Sequence, residues 1–147
     1  METQETNSTR DSNILCIYHG KCDDGFGAAY AVWKKYPHAT FVAGVYGKPP
    51  PYDLINASTE VFIVDFSYPN EVLYKLASIA DEVTVIDHHK TFFEQFPISY
   101  VENLHIVFDQ ERSGCALTWD YLTENDPIQR FVPDLLLYIQ DSDLWRF

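Results

Sequence analysis

The run Val83-Thr84-Val85-Ile86 leads directly into Asp87-His88-His89-Lys90. Branched side chains of this kind suit a buried strand. An acid and two imidazoles do not, because burying polar groups without partners costs several kcal/mol. A chain that brings such a trio to the end of an apolar strand must supply partners there, and a divalent cation meets the need at least cost. Two further apolar runs end in the same way. Ile14-Leu15-Cys16-Ile17-Tyr18 is followed by His19 and then Asp23-Asp24-Gly25, and Val61-Phe62-Ile63-Val64 is followed by Asp65. Each piece alone has an ordinary explanation. A strand-end aspartate is usually a cap or turn residue, Asp-Asp-Gly reads as a turn, and paired histidines are common on surfaces and in cores. Their joint occurrence at three strand ends argues for one site.

Between these runs lie helical patterns, and the alternation is that of a parallel sheet with crossover helices. Strands are expected near 14–19, 39–46, 61–66, 83–87 and 105–109. Helices are expected over 25–36, 69–80, 113–124 and 133–141, with a weaker turn near 91–96. The expected fold is α/β, a doubly wound and mainly parallel sheet of about five strands with helices on both faces. Ser67 and Ser113 are candidate helix caps, and Pro69 suits a first helical turn. The polar, aperiodic residues 1–13 read as a disordered tail, and Gly47-Lys48-Pro49-Pro50-Pro51 as a rigid loop. In open parallel sheets, ligands bind beyond the carboxyl ends of the strands. His19, Asp24, Asp65 and Asp87-His88-His89 all fall there.

The 147 residues fit one domain, with 46% hydrophobic residues to form its core. A net charge of −12 argues against a protein that grips long duplex nucleic acid through its phosphates. A small phosphorylated substrate or a short oligonucleotide is compatible, because bound cations reverse the local field. No apolar stretch reaches the ~18–20 residues of a membrane span, and no signal peptide precedes the first strand. Cys16, Cys22 and Cys115 read as reduced thiols, which points to the cytoplasm.

Carboxylates mixed with imidazoles suit Mn²⁺ better than an all-oxygen Mg²⁺ site or a thiolate zinc site. Phosphoester hydrolysis is the chemistry that fits such groups best: metal-bound water, its pKa lowered toward ~7, attacks phosphorus. His89, with Lys90 or Arg112, would stabilise the charge developing on the phosphoryl oxygens. A solvated loop arginine is the competing reading of Arg112.

The pattern resembles the DHH phosphoesterase superfamily, whose members include single-strand exonucleases, oligoribonucleases, cyclic-dinucleotide phosphodiesterases and manganese-dependent inorganic pyrophosphatases. The likeness covers nearly all of the chain after residue 13. Asp87-His88-His89 is the motif that gives the superfamily its name. Asp65 in Ile63-Val64-Asp65-Phe66-Ser67 resembles the second motif, and His19 with Asp24-Gly25-Phe26-Gly27-Ala28-Ala29 the first. Asp141 in Tyr138-Ile139-Gln140-Asp141-Ser142-Asp143 resembles the fourth, with Asp143 as the fallback.

The resemblance implies a metal-dependent phosphoric ester hydrolase holding one or two ions, Mn²⁺ first and Mg²⁺ or Co²⁺ as alternatives. His19 and Asp65 would hold one ion, and Asp24, Asp65, His88 and Asp141 the other, with Asp65 bridging. His89 would face the substrate phosphate, and Asp87 would orient the histidines. The first motif departs from the usual pattern of two aspartates separated by one residue. Cys22 stands two positions before Asp24, and Asp23 adjoins it, so either Asp23 or Cys22 takes the missing ligand role, or one metal site is weak. The smaller substrate-binding domain that follows in most members has no counterpart here. Residues 14–147 are therefore expected to be the metal-bearing domain alone. A nonhydrolytic metal- or nucleotide-binding module with a degenerate site is the alternative.

Overall fold

A computed structural model of the protein describes residues 13–20, 22–89, 100–109 and 111–123. They form five strands, β1 (Ile14–His19), β2 (Thr40–Gly44), β3 (Glu60–Val64), β4 (Glu82–Asp87) and β5 (Leu104–Phe108). Three helices, α1 (Asp23–Lys35), α2 (Asn70–Ile79) and α3 (Gly114–Thr123), connect or follow them, with a 3₁₀ turn at Tyr52–Leu54. The sheet order is β2-β1-β3-β4-β5 and every pairing is parallel. This is the expected doubly wound α/β fold. The expected helix over 133–141 and the turn near 91–96 lie outside the described residues.

Alternation along the strands sorts the core into two layers. Leu15, Ile17, Val61, Ile63, Val83 and Val85 face α2, which contributes Leu73, Leu76 and Ala77. On the opposite face, Ile14, Cys16, Phe62, Val64 and Ile86 meet Ala28, Ala31 and Val32 of α1 and Leu117, Trp119 and Leu122 of α3. Both faces are covered, so the central strands carry apolar residues throughout, as buried parallel strands do.

The helix starts set the geometry of the site. Cys22 caps α1, its Sγ accepting from the Gly25 N–H at 3.2 Å. Gly25 lies hard against the end of β1: a Cβ there would stand 2.0 Å from the His19 carbonyl oxygen. Only glycine lets the helix begin so close to the strand. Ser113 caps α3 as expected, accepting from the Ala116 N–H at 3.2 Å. Ser67 does not cap α2. The N-cap position is Pro69, whose carbonyl accepts from Val72 and Leu73, while the Ser67 hydroxyl donates to the Tyr68 carbonyl. Ser67 lies two residues before that cap, which leaves it out of position for the first helical N–H groups.

Since β2 and β3 lie on opposite sides of β1, chain order reverses there and opens a crevice at the carboxyl edge of the sheet. His19 ends β1, Asp65 follows β3, and Asp87 ends β4. The three central strands thus deliver their polar termini to one place.

Candidate metal centre

Asp65 occupies the middle of this edge. Its N–H donates to the Ile86 carbonyl at 2.9 Å, extending the β3–β4 pairing by one bond, and its φ is 54°. That left-handed conformation costs an L-residue roughly 1–2 kcal/mol, and such outliers cluster at functional sites. The turn gives the buried carboxylate two working sides. Oδ1 lies 3.0 Å from His88 Nε2, and Oδ2 lies 3.3 Å from Cys22 Sγ and 3.7 Å from His19 Nδ1.

Asp24, in the first turn of α1, reaches across to the start of α3. Its Oδ2 accepts from the Gly114 N–H and its Oδ1 from the Cys115 N–H, both at 2.8 Å. Oδ2 also lies 3.1 Å from His88 Nε2. A helix N-terminus favours negative charge, so α3 stabilises the Asp24 anion.

The two acids therefore differ. Burial pushes the Asp24 pKa up, but hydrogen bonds from His88, Asp65 and the Cys115 backbone outweigh it and hold the carboxyl below the usual range. For Asp65, burial together with the neighbouring Asp24 charge outweighs the His88 bond and raises the pKa. His88 is disfavoured as a cation by burial, yet its bonds to both carboxylates push its pKa up to about 10.

Asp87 organises the histidine pair from below. Its Oδ1 accepts from the His88 N–H at 2.8 Å, the His89 N–H at 3.3 Å and His89 Nδ1 at 2.5 Å. The bond to Asp87 raises the His89 pKa despite burial. Asp87 Oδ2 is buried and has no hydrogen-bond partner among the described residues. The His89 side chain is 33% exposed, against 8% for His88, so His89 is the imidazole that faces outward.

The expected residues His19, Asp24, Asp65, Asp87, His88 and His89 are thus gathered in one cluster. Asp23 is not: it is exposed on the first turn of α1. Cys22 enters instead, its Sγ 3.3 Å from both His19 Nδ1 and Asp65 Oδ2. The reason is the cap. With Cys22 at the N-cap, α1 buries Asp24 and turns Asp23 to solvent. Arg112, an expected substrate contact, forms an ion pair with Asp120 at 2.6 Å. Lys90, Asp141 and Asp143 lie outside the described residues.

Two contributors were not foreseen. The backbone N–H groups of Gly114 and Cys115 carry no side-chain signature, although the Ser113-Gly114 helix start was a hint. Tyr46, in the loop after β2, sets its ring 5.6 Å from His19 and 4.5 Å from Phe66. Burial raises the Tyr46 pKa to about 12, reinforced by the charges of Asp87 and Asp65.

Ligand atoms of His19, Cys22 and Asp65 lie within 4.8 Å of one another, as do those of Asp65, Asp87, His88 and His89. Asp65 belongs to both groups. Three buried acids and three imidazoles thus share one small volume, a mixture of donors that a divalent cation can bridge.

No protein-family model matches the chain. It is similar to an uncharacterized protein of Acanthamoeba polyphaga mimivirus, with 34% identity over 152 residues covering 94% of this chain and 35% of that protein. The fold is similar to the crystal structure of an uncharacterized protein from Helicobacter pylori, with a TM-score of 0.70 and 13% identity over 91% of this chain and 44% of the other. The chain thus spans about a third of the viral relative and under half of the bacterial structure. Among the described residues, no helix is long and apolar enough to cross a membrane.

Proposed function

We propose that this chain is the metal-bearing domain of a DHH-type phosphoesterase. It hydrolyses a phosphodiester or phosphomonoester of a small nucleotide or short oligonucleotide. The observation that carries this reading is the two-sided Asp65 carboxylate, with His88 on Oδ1 and with Cys22 and His19 on Oδ2.

The donor set fits a divalent cation. Asp24, Asp65 and His88 would hold it on one side, and Asp65 with His19 on the other. Mn²⁺ is the first choice for such oxygen and imidazole ligands, with Mg²⁺ or Co²⁺ as alternatives. Asp141 belongs to the same expected set. When bound, the cation supplies Lewis acidity and a water whose pKa falls toward ~7.

The residues of the chain do the rest. Asp87 takes His89 Nδ1 as its partner and so leaves Nε2 to donate to a phosphoryl oxygen. With its pKa raised by Asp87, His89 keeps its proton for that bond. The α3 start fixes Asp24 through two N–H groups, holding the carboxylate ready before any ligand arrives. The net charge of −12 disfavours long strands and leaves small phosphate esters as the substrate class. Three cysteines that form no disulfide support the cytoplasm as the compartment of such a protein.

Hydrolysis of bis-p-nitrophenyl phosphate by chelator-stripped protein, with and without added Mn²⁺, tests this reading. Activity that requires Mn²⁺ and disappears in Asp65→Asn supports it. Mn²⁺ binding without turnover, in a protein that still binds nucleotide, supports the nonhydrolytic module. The second reading is favoured by one observation, a cysteine standing where the superfamily's first motif has an acid.

A further inference from the structure

The two sides of Asp65 differ in chemistry, and we propose that the Cys22 side is a distinct position for a thiolate-binding cation of the Zn²⁺ type, held by Cys22 Sγ, His19 Nδ1 and Asp65 Oδ2. A harder cation occupies Asp24, Asp65 and His88 on the other side. The inference rests on the metal-dependent reading above and departs from it in predicting two unlike ions instead of a matched Mn²⁺ pair.

The spacing of the ligand atoms carries the argument. Sγ to Nδ1 is 3.3 Å, Sγ to Oδ2 is 3.3 Å and Nδ1 to Oδ2 is 3.7 Å. A tetrahedral zinc ion with bonds of ~2.3 Å to sulfur and ~2.0–2.1 Å to nitrogen and oxygen requires ligand separations of roughly 3.3–3.6 Å. Both sulfur edges lie within that range, and the nitrogen–oxygen edge is about 0.1 Å beyond it. The other set is tighter: His88 Nε2 is 3.0 Å from Asp65 Oδ1 and 3.1 Å from Asp24 Oδ2. Neighbouring ligands of an octahedral ion with bonds of ~2.1 Å stand roughly 3.0 Å apart. The first set is spaced for a tetrahedral nitrogen, sulfur and oxygen site, and the second has the shorter separations that a harder cation on oxygen and nitrogen takes.

The local backbone supports the assignment. Cys22 is extended, with φ −145° and ψ 157°, and its sulfur is already held by the Gly25 N–H. Aiming the sulfur thus requires no rearrangement, and a helix N-terminus favours the thiolate that a cation would create. In the metal-free chain, burial and the neighbouring acids keep the proton on this sulfur. A coordinating cation removes it, with release to solvent. Cys16 is buried in the core, whereas Cys115, also buried, sets its side chain against Asp24 on the other side of the cluster, so the Cys22→Ser variant is what assigns a sulfur signal to Cys22.

Cobalt is the probe, because a thiolate–Co²⁺ bond gives an intense near-ultraviolet charge-transfer band and tetrahedral Co²⁺ gives strong visible bands. The chelator-stripped full chain is titrated with Co²⁺ without oxygen or added thiols, beside Cys22→Ser and Cys22→Asp. Both variants keep an acceptor for the Gly25 N–H, so the cap of α1 is retained. Expected are a sulfur band saturating at one ion per chain, its loss in Cys22→Ser, and a Zn²⁺-over-Mn²⁺ preference at least roughly tenfold weaker in Cys22→Asp, a factor seen for losing even an outer partner of a metal ligand. Co²⁺ binding with no sulfur band in the parent, or an identical band in Cys22→Ser, overturns the thiolate position and leaves the metal reading standing. No Co²⁺ binding in the folded parent overturns both.

Discussion

Gly114 and Asp65 meet so closely that a Cβ on the glycine would stand 2.5 Å from Asp65 Oδ1 and 2.6 Å from Asp65 Cβ. The start of α3 is therefore pressed onto the carboxylate at the centre of the cluster. The same glycine donates its N–H to Asp24. One backbone position thus controls the spacing of both acids.

This contact fixes the sign of a substitution. Within an ordinary helix, replacing glycine with alanine gains about 0.5–1 kcal/mol. At Gly114 the added methyl group must displace Asp65 or the start of α3, and overpacking of this kind costs about 1–3 kcal/mol. Gly114→Ala is expected to lower the urea midpoint and to weaken Mn²⁺ binding measured by calorimetry. A raised midpoint with unchanged binding would mean that the close approach does not constrain the site.

Neutralising the two central acids is expected to have unlike effects on the metal-free protein. The fold lowers the Asp24 pKa, so its stabilising contribution is present above the unfolded value near ~3.9 and fades as pH falls. Asp24→Asn leaves one amide group facing an N–H donor and should cost about 1–3 kcal/mol at pH 7. Asp65 is shifted the other way, so its ionised form weighs against folding as pH rises. Asp65→Asn should leave the pH 7 midpoint unchanged or raised. Urea unfolding in EDTA compares the two, and equal losses would contradict the division of charge described here.

Burial and two carboxylates together set the proton on His88. With its pKa pushed up to about 10, it is a cation through neutral pH when no metal is present. Its contribution to stability is fully present below the unfolded value near ~6.5 and is lost as pH rises through the folded one. A metal needs the neutral ring, so binding must expel the proton. Mn²⁺ affinity should therefore rise with pH, by about tenfold per unit for each proton released. Calorimetry between pH 6.5 and 8.5 in buffers of differing ionisation enthalpy counts those protons. A pH-independent affinity would place the metal away from His88.

Strands are legible in the sequence where their signal is local. β1 appears at the residues expected, and β4 and β5 each start one residue early, because branched apolar runs of this length have few other uses. Asp65 and Asp87-His88-His89 are legible for the same reason: Asp65 directly follows a buried strand, and Asp87 ends one with the two histidines after it. The sequence does not choose between Cys22 and Asp23, because the choice depends on which residue caps α1, and a cysteine is a weak cap signal. The contacts of Gly114 and Cys115 with Asp24 were invisible, since backbone donors about 90 positions away leave no trace in residue type. Ser67 carries the residue type of a cap, but Pro69 takes the position because it sits closer to the helix.

Asp87 holds both histidines through one oxygen, accepting from the His88 N–H and from His89 Nδ1, and its role separates from theirs by experiment. Asp87→Asn keeps an oxygen that can accept the His88 and His89 N–H groups. It removes the charge that raises the His89 pKa, and it sets an amide where Oδ2 has no partner among the described residues. That unsatisfied donor should cost about 1–3 kcal/mol of stability. On the proposed activity, loss of a partner that orients a working histidine should lower kcat by roughly 10–100-fold, with a smaller change in KM. The limb of the pH–rate profile that reports His89 should move to lower pH, because its protonated form is no longer supported. A reduced rate with an unmoved profile would assign Asp87 to holding the backbone turn after β4 and not to setting the His89 proton.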